Sequence, residues 1–247
     1  MHPDSPTERR RPTGVTDDAI ERIRELIATG EWGPGTRLPR ESDLAQQLGL
    51  SRNSLREAVR ALSLARVLEV RQGDGTYVSS LDPSELLEPT LSATNLLRGR
   101  TVLDLFGVRR MLEPEAAALA ARAADPRVLA DLRRELERMI AAGDDAEELV
   151  NADAAFHDVI AAAPGNGVLR ALLRSLSTRT ARARLWHGIA ERGALDLARE
   201  EHSRIYDAIA AGDADLARAA ALLHIATNER WLREHLDPAD DVPLDGA

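Results

Sequence analysis

The sequence contains no cysteine and no lysine, and only 3% of its residues are aromatic. Without cysteine there is no disulfide and no thiolate ligand, so a bound metal has to be held by His, Asp or Glu. Without lysine every cation is an arginine, whose planar guanidinium grips phosphate, carboxylate or guanine through paired N–H groups. A genome-wide codon preference for Arg is the simpler explanation of that bias. No run of about 18 apolar residues occurs, so no membrane-spanning helix is expected and no membrane partner. The N-terminal MHPDSPTERRRPTG is polar, carries Arg9, Arg10 and Arg11, and lacks the apolar stretch of a secretory signal. It reads as a disordered arm over residues 1–14, and the protein as soluble and cytoplasmic.

What is present is a chain of 247 residues with a formal net charge of −9. That length suits one large domain or two modest ones. The charge is unevenly spread. Residues 1–80 hold 12 Arg and 12 acidic residues, whereas residues 81–247 hold 20 Arg and 29 acidic residues. A neutral head on an acidic body implies two domains with different partners. Since the head is not basic overall, any DNA binding has to rest on where its arginines sit and on a dimer presenting two heads.

Periodicity predicts a helix over Thr16–Thr29, with Ile20, Ile23, Leu26 and Ile27 on one face and Gly30 as its end. A Pro/Gly-rich connection, EWGPGTRLPR, follows. A short helix is expected over Glu41–Leu48, stopped by Gly49, and then a helix from Arg52 to about Ala65 with Ser51 as N-cap. VLEVRQGDGTYVSS alternates around Gly73-Asp74-Gly75, a β-hairpin signal. Helix, helix, glycine turn, helix and hairpin together are the plan of a winged helix-turn-helix over residues 15–80. Beyond it no strand-like stretch occurs. Helices are expected near 83–98, 102–123, 126–142, 145–162, 166–187, 194–211 and 214–235. Residues 81–100 read as linker and first helix, 101–236 as an all-helical effector-binding and dimerisation domain, and 237–247 as a frayed tail. Ala-Ala-Gly-Asp recurs at 141–144 and 210–213, where Gly suits the end of one helix and Asp the cap of the next. The fold class is therefore mainly α, a winged helix-turn-helix followed by a helical bundle.

In a helix-turn-helix the first residues of the second motif helix meet base edges in the major groove. These are Ser51, Arg52, Asn53 and Ser54, with Arg56 one turn on. Arg bridges guanine O6 and N7, and Asn pairs with adenine. Arg52, Arg56 and Arg60 share one face. Such a face is usually just solvated, but the turn and wing around it favour DNA. Gln72 and Gly73 at the wing tip, and Arg40 and Ser42 before and within the preceding helix, are candidate DNA contacts.

In the body, Asp153 and His157 stand at i and i+4 on one expected helix, with His202 and His224 on two later ones. Three imidazoles and a carboxylate on three helices could converge on one divalent metal, zinc or nickel being the best matches to such nitrogen and oxygen ligands. Spacing alone leaves the ordinary reading open, in which these are packed or solvated bundle residues.

The stretch GEWGPGTRLPRESDLAQQLGLSRNSLREAVRAL followed by VRQGDGTYV resembles the GntR family of bacterial regulators over residues 16–79. The family's recognition-helix arginines fall on Arg52 and Arg56. Where the family usually carries a DNA-touching arginine, this chain has Ser42. Residues 101–235 resemble the FCD effector domain of the FadR-type branch, through VRRMLEPEAAALAA, NADAAFHDVI and EEHSRIYDAIAAGDADLARAAALLH. That resemblance implies a divalent metal held by Asp153, His157, His202 and His224. It also places Arg109 where it would clamp the carboxylate of a small organic acid, with an ion pair to Glu113 as its ordinary structural role. Asn228, one turn past His224, is a further effector-lining candidate.

The expected function is a homodimeric transcriptional regulator. Its affinity for a double-stranded DNA operator is set by a small carboxylate bound at a metal-containing site. Two alternatives stand beside it. One is a regulator for which the metal itself is the signal. The other is a metalloenzyme, for which the helical HExxH pattern is missing and Glu201 is the one glutamate adjacent to a candidate ligand. No catalytic role is expected.

Overall fold

The computed structural model describes residues 15–92 and 101–236. The expected arm, the expected tail and residues 93–98 of the expected linker helix lie outside the described residues. The chain divides into two compact units between Pro89 and Thr90. Among the described residues no helix is long and apolar enough to cross a membrane.

The first unit holds α1 (Val15–Ala28), α2 (Glu41–Leu48), α3 (Arg52–Leu64), β1 (Leu68–Arg71), β2 (Gly75–Val78) and the start of α4 (Pro83–Ser92). Its core joins Ala19 and Ile23 of α1 to Leu44 of α2, Leu55, Val59 and Leu62 of α3, and Leu68 and Val78 of the hairpin. Burial of each large aliphatic side chain contributes about 2 kcal/mol. Gly49 ends α2 in the left-handed region, with φ 64°, where its N–H reaches the Ala45 and Gln46 carbonyls. A side chain there would be strained, so the sharp turn into α3 depends on glycine. The hairpin is antiparallel, pairing Leu68 with Val78 and Arg71 with Gly75. The Pro/Gly-rich connection is more ordered than its composition suggests. Arg37 bridges to Tyr77, and Leu38 donates to the Thr76 carbonyl at 2.8 Å, so the edge of β2 is paired rather than open.

The second unit is helical throughout its described part, with α5 (Thr101–Ala123), α6 (Pro126–Ala141), α7 (Ala146–Ala162), α8 (Gly167–Ala190), α9 (Ala194–Ala210) and α10 (Ala214–His235). Alanines make up much of its core. Ala116, Ala117, Ala120 and Ala121 of α5 are buried, as are Ala217 and Ala221 of α10, and α5 and α10 form the most extensive helix pair. Leu132, Met139, Phe156, Ile160, Leu173, Ile205 and Ile209 complete the core. Pro114 lies inside α5; it removes the N–H that would bond the Arg110 carbonyl, yet the helix continues. Gly143 and Gly212 adopt φ 56° and 70°, as expected of the repeated tetrapeptide. The second repeat caps α10 through Asp213. In the first the cap is Asp145, one residue later than expected, and its carboxylate accepts from the Glu147 and Glu148 N–H groups. α8 also runs past the expected end at His187 to Ala190.

Candidate metal centre and DNA-reading helix

α7 places Asp153 and His157 one turn apart on its buried face, α9 contributes His202 and α10 contributes His224, and all four are buried. One potential ligand atom from each lies within 4.8 Å of every other. Asp153 Oδ1 is 3.1 Å from His202 Nε2, 3.8 Å from His224 Nε2 and 3.9 Å from His157 Nε2. His157 Nε2 and His224 Nε2 are 3.2 Å apart. Donors about 2.1 Å from a common ion are separated by about 3.0–3.4 Å when they subtend roughly right or tetrahedral angles, so the cluster is within a small adjustment of chelating geometry.

The other ring nitrogen of each imidazole settles its orientation. His157 Nδ1 faces Glu113 Oε2 at 2.8 Å, His224 Nδ1 faces Glu201 Oε2 at 2.9 Å, and His202 Nδ1 faces the Ala198 carbonyl at 2.7 Å. Each partner is an acceptor, so each Nδ1 donates and, in the neutral ring, each Nε2 turns a lone pair inward. Three lone pairs and a carboxylate oxygen then converge in a buried space, which only a cation or shared protons can reconcile. His202 Nε2 has no hydrogen-bond partner. The residues present fit a divalent metal ion and could hold one.

Charge around the cluster is balanced by arginines. Arg184 of α8 sits with Nε 3.0 Å from Asp153 Oδ2, though neither atom is aligned for a hydrogen bond. Burial opposes the Asp153 carboxylate, but Arg184 and the neighbouring imidazoles outweigh it and hold its pKa well below the usual value. Burial lowers Arg184 to about 10, with Asp153 acting against that shift. Glu113 is also buried and is kept ionised, well below the usual range, by Arg109 and His157. Burial, reinforced by the nearby charge of His202, lowers His224 to about 4.

That last shift has a stability consequence for metal-free protein. A His whose folded pKa lies below its unfolded value of about 6.5 binds its proton preferentially in the unfolded chain. The stability is therefore complete above about pH 6.5 and is lost as pH falls toward 4, by about 3 kcal/mol for a shift of this size. Urea unfolding of chelator-treated protein at pH 7, 5.5 and 4.5 should show this decline, and a flat profile would contradict the buried, neutral assignment of His224.

Arg109 is wholly buried, with Nε 2.5 Å from Glu113 Oε1 and Nη1 donating to Thr180 Oγ1 at 2.8 Å. Its ion pair with Glu113 therefore forms, and through Glu113 it reaches His157. It does not line the cavity beside the cluster. Asp153, Arg184, His187, Glu201, His224 and Asn228 do, and that cavity holds only about 30 Å³, roughly the space of one water. Asn228 bonds both ways there, its Oδ1 to His187 Nδ1 at 3.1 Å and its Nδ2 to the His224 carbonyl at 3.2 Å. Glu201, considered above as a possible catalytic base, orients His224 and accepts from Thr227 Oγ1 at 2.9 Å. Sequence reasoning missed Arg184, Thr180 and His187, which carried no spacing signal relative to the four ligands.

In the first unit, Ser51 caps α3 by accepting from the Ser54 N–H at 3.0 Å, and its hydroxyl is also 2.8 Å from that of Ser54. Arg52 and Asn53 are exposed on the opening turn. Arg56 is exposed and meets Glu41 Oε2 at 3.4 Å, a long contact between half-solvated groups that adds little stability. Arg40 holds the N-cap position of α2 without a capping bond, and Ser42 donates to Asp43 Oδ1 at 3.0 Å. Gln72 and Gly73 are exposed at the wing tip, with Gly73 at φ 77°. The tip is braced from behind by Arg37, which donates to the Asp74 carbonyl. A groove of about 700 Å³ runs between wing and helices, lined by Arg37, Arg40, Arg71, Gln72 and Gly73 among others.

Comparison with known proteins bears on both units. Residues 15–78 match the bacterial regulatory proteins of the gntR family, and residues 104–227 match the FCD domain. The chain is 35% identical over 220 residues to the HTH-type transcriptional regulator LutR of Bacillus subtilis, covering 86% of this chain and 98% of that one. It is 30% identical over 224 residues to the galactonate operon transcriptional repressor of Escherichia coli, covering 89% and 97%. Among solved structures it is similar to a GntR protein of Streptococcus agalactiae, at a TM-score of 0.64 and 29% identity, over 87% of this chain and 99% of that one.

Proposed function

Given that the chain belongs to the GntR family of DNA-binding transcriptional regulators and carries an FCD domain, we propose that its operator affinity is controlled by a small organic acid at the Asp153–His157–His202–His224 centre. The observation that carries this reading is the inward convergence of three imidazole Nε2 atoms on Asp153, each ring fixed from behind by an acceptor. Those four residues would hold one divalent ion, zinc or nickel, which when bound supplies positive charge and coordination positions for a carboxylate. Charge bookkeeping favours an anion. Asp153, Glu113 and Glu201 bring three buried carboxylates against the two buried guanidiniums of Arg109 and Arg184. A divalent cation turns that net negative charge positive. Arg184, which lines the cavity, is better placed than Arg109 to meet the effector, with Asn228 beside it. The similarity to a repressor of a galactonate operon fits an effector of the hydroxy-acid class.

An acid does not fit in about 30 Å³, so binding has to open the bundle. One wall of the cavity is the corner of α8 and α9, where Leu195 packs so closely over Gly188 that a Cβ there would lie 2.7 Å from Leu195 Cδ2, so an acid entering on that side has to displace Leu195. A ligand that makes its own space binds one arrangement of the bundle in preference to the other, which is the requirement for shifting DNA affinity. The same small cavity also favours a second reading, in which the metal itself is the signal. Operator binding followed during metal titration, with and without candidate acids, separates the two.

On DNA, each subunit of a homodimer takes one half-site of a pseudo-palindromic operator. Arg52, Asn53 and Arg56 read bases. Arg40, Ser42, Ser51, Gln72 and Gly73 meet backbone or groove edge. Arg52→Ala or Arg56→Ala is expected to weaken operator binding by about 1–3 kcal/mol without loss of fold. Anisotropy titration at fixed salt measures it, and two variants that bind as the wild type does would displace the recognition helix from this account.

A further inference from the structure

α5 carries a stripe that the metal centre does not use. Asp104, Val108, Met111, Glu115, Leu119 and Arg122 recur at helical spacing and are all exposed. Met111 is 69% exposed and Val108 and Leu119 are 39% each, an apolar row that isolated surface residues do not make. Leu222, one turn past Arg218 on the adjoining α10, adds to it at 42% exposure. The outer residues of the stripe read alike from both ends, with the charge inverted. Asp104 lies nine residues before Glu113 and Arg122 nine after it; Val108 lies five before and Leu119 six after. Glu115, the one charge inside the stripe, is drawn aside by Arg218 of α10, whose Nε and Nη2 reach its carboxylate at 2.6 and 3.1 Å.

We infer that this face of α5 packs against the same face of a second copy of the chain, antiparallel, about a two-fold axis crossing the helix near Glu113. A self-complementary patch is what an isologous contact requires. In that arrangement Asp104 faces Arg122 of the second copy and Val108 faces Leu119, each twice over by symmetry, while each Met111 lies half a turn from the axis, opposite Glu115 of the second copy. The helix dipoles oppose, and the charged ends fix the register. This rests on the reading of the protein as a homodimer and adds to it the surface that joins the subunits.

Sedimentation equilibrium on the full chain tests it. Asp104→Arg alone and Arg122→Asp alone each set like charges together at both ends, and each should raise the dimer dissociation constant by about tenfold or more. The double variant Asp104→Arg/Arg122→Asp restores opposite charges and should return close to the wild-type value. Restoration cannot come from misfolding. The absence of cysteine allows a second measurement. Val108→Cys/Leu119→Cys should form a disulfide-linked dimer on oxidation. Within one chain the two sulfurs are about 16 Å apart along the helix and cannot join. A dimeric wild type whose double charge variant is no better than the singles, and whose cysteine variant fails to cross-link, would overturn this interface while leaving the homodimer intact. A wild type that stays monomeric at operator-binding concentrations would overturn both.

Discussion

Replacing Arg109 with Ala is expected to destabilise the protein by about 3–5 kcal/mol, because it strands a buried carboxylate. Arg109 and Glu113 are both buried, and their pairing at 2.5 Å is the main compensation for Glu113 in that environment. Thr180 would lose a donor as well, since Arg109 Nη1 is bonded to its hydroxyl. The variant should be recovered in part by Arg109→Leu combined with Glu113→Gln, which removes the orphaned charge together with its partner. Urea unfolding of the three proteins measures the effect. A loss under about 1 kcal/mol for Arg109→Ala would mean that water or a rearranged cation reaches Glu113, contrary to the packing seen here.

His224→Ala is expected to abolish stoichiometric metal binding and, with it, the extra stability that metal confers. A ligand that binds only the folded state at about one hundred times its dissociation constant adds about 2.7 kcal/mol. Chelator should therefore lower the melting temperature of wild-type protein and leave that of His224→Ala unchanged. Glu201→Ala acts through His224, whose Nδ1 it accepts. It should weaken metal binding by about 10–100-fold rather than abolish it, as expected of a residue that orients a ligand. Elemental analysis and thermal melts of both variants check this. Full metal occupancy in His224→Ala would reduce the four residues to ordinary polar positions in a packed bundle.

Local chemistry made the first unit legible in the sequence. Gly49, Ser51 and the Gly73-Asp74-Gly75 tip each carry a backbone requirement that few residues meet, and each sits where expected. In the second unit helix periodicity, Pro126 and the Gly-Asp tetrapeptides located the helices. The cap fell on Asp145 rather than Asp144, since adjacent aspartates are equally good acceptors and only the backbone path chooses between them. The i, i+4 pair Asp153–His157 was visible because one helix supplies both. Which later histidines join them depends on how three helices rotate about their axes, and periodicity does not specify that. Arg184 and Thr180 were hidden for the same reason. They meet Asp153 and Arg109 across helix interfaces, and their own helix has a broad buried face on which polar residues carry no mark of their partner. The bond between Arg109 and Glu113 lies within one turn and so was readable; its link through Glu113 to His157 was not.

Control of operator affinity by an effector at the metal centre, as proposed, requires coupling between that centre and the DNA-reading helix, and linkage makes such coupling measurable from either side. The most direct test is operator affinity of metal-loaded protein across a panel of small hydroxy acids, repeated with His224→Ala at the same salt concentration. The prediction is that at least one acid shifts the operator dissociation constant of the wild type by about fivefold or more, the range typical of allosteric coupling, and that His224→Ala shows no shift. An acid that shifts both proteins equally would place the effector elsewhere and contradict the assignment of this centre as the regulatory site.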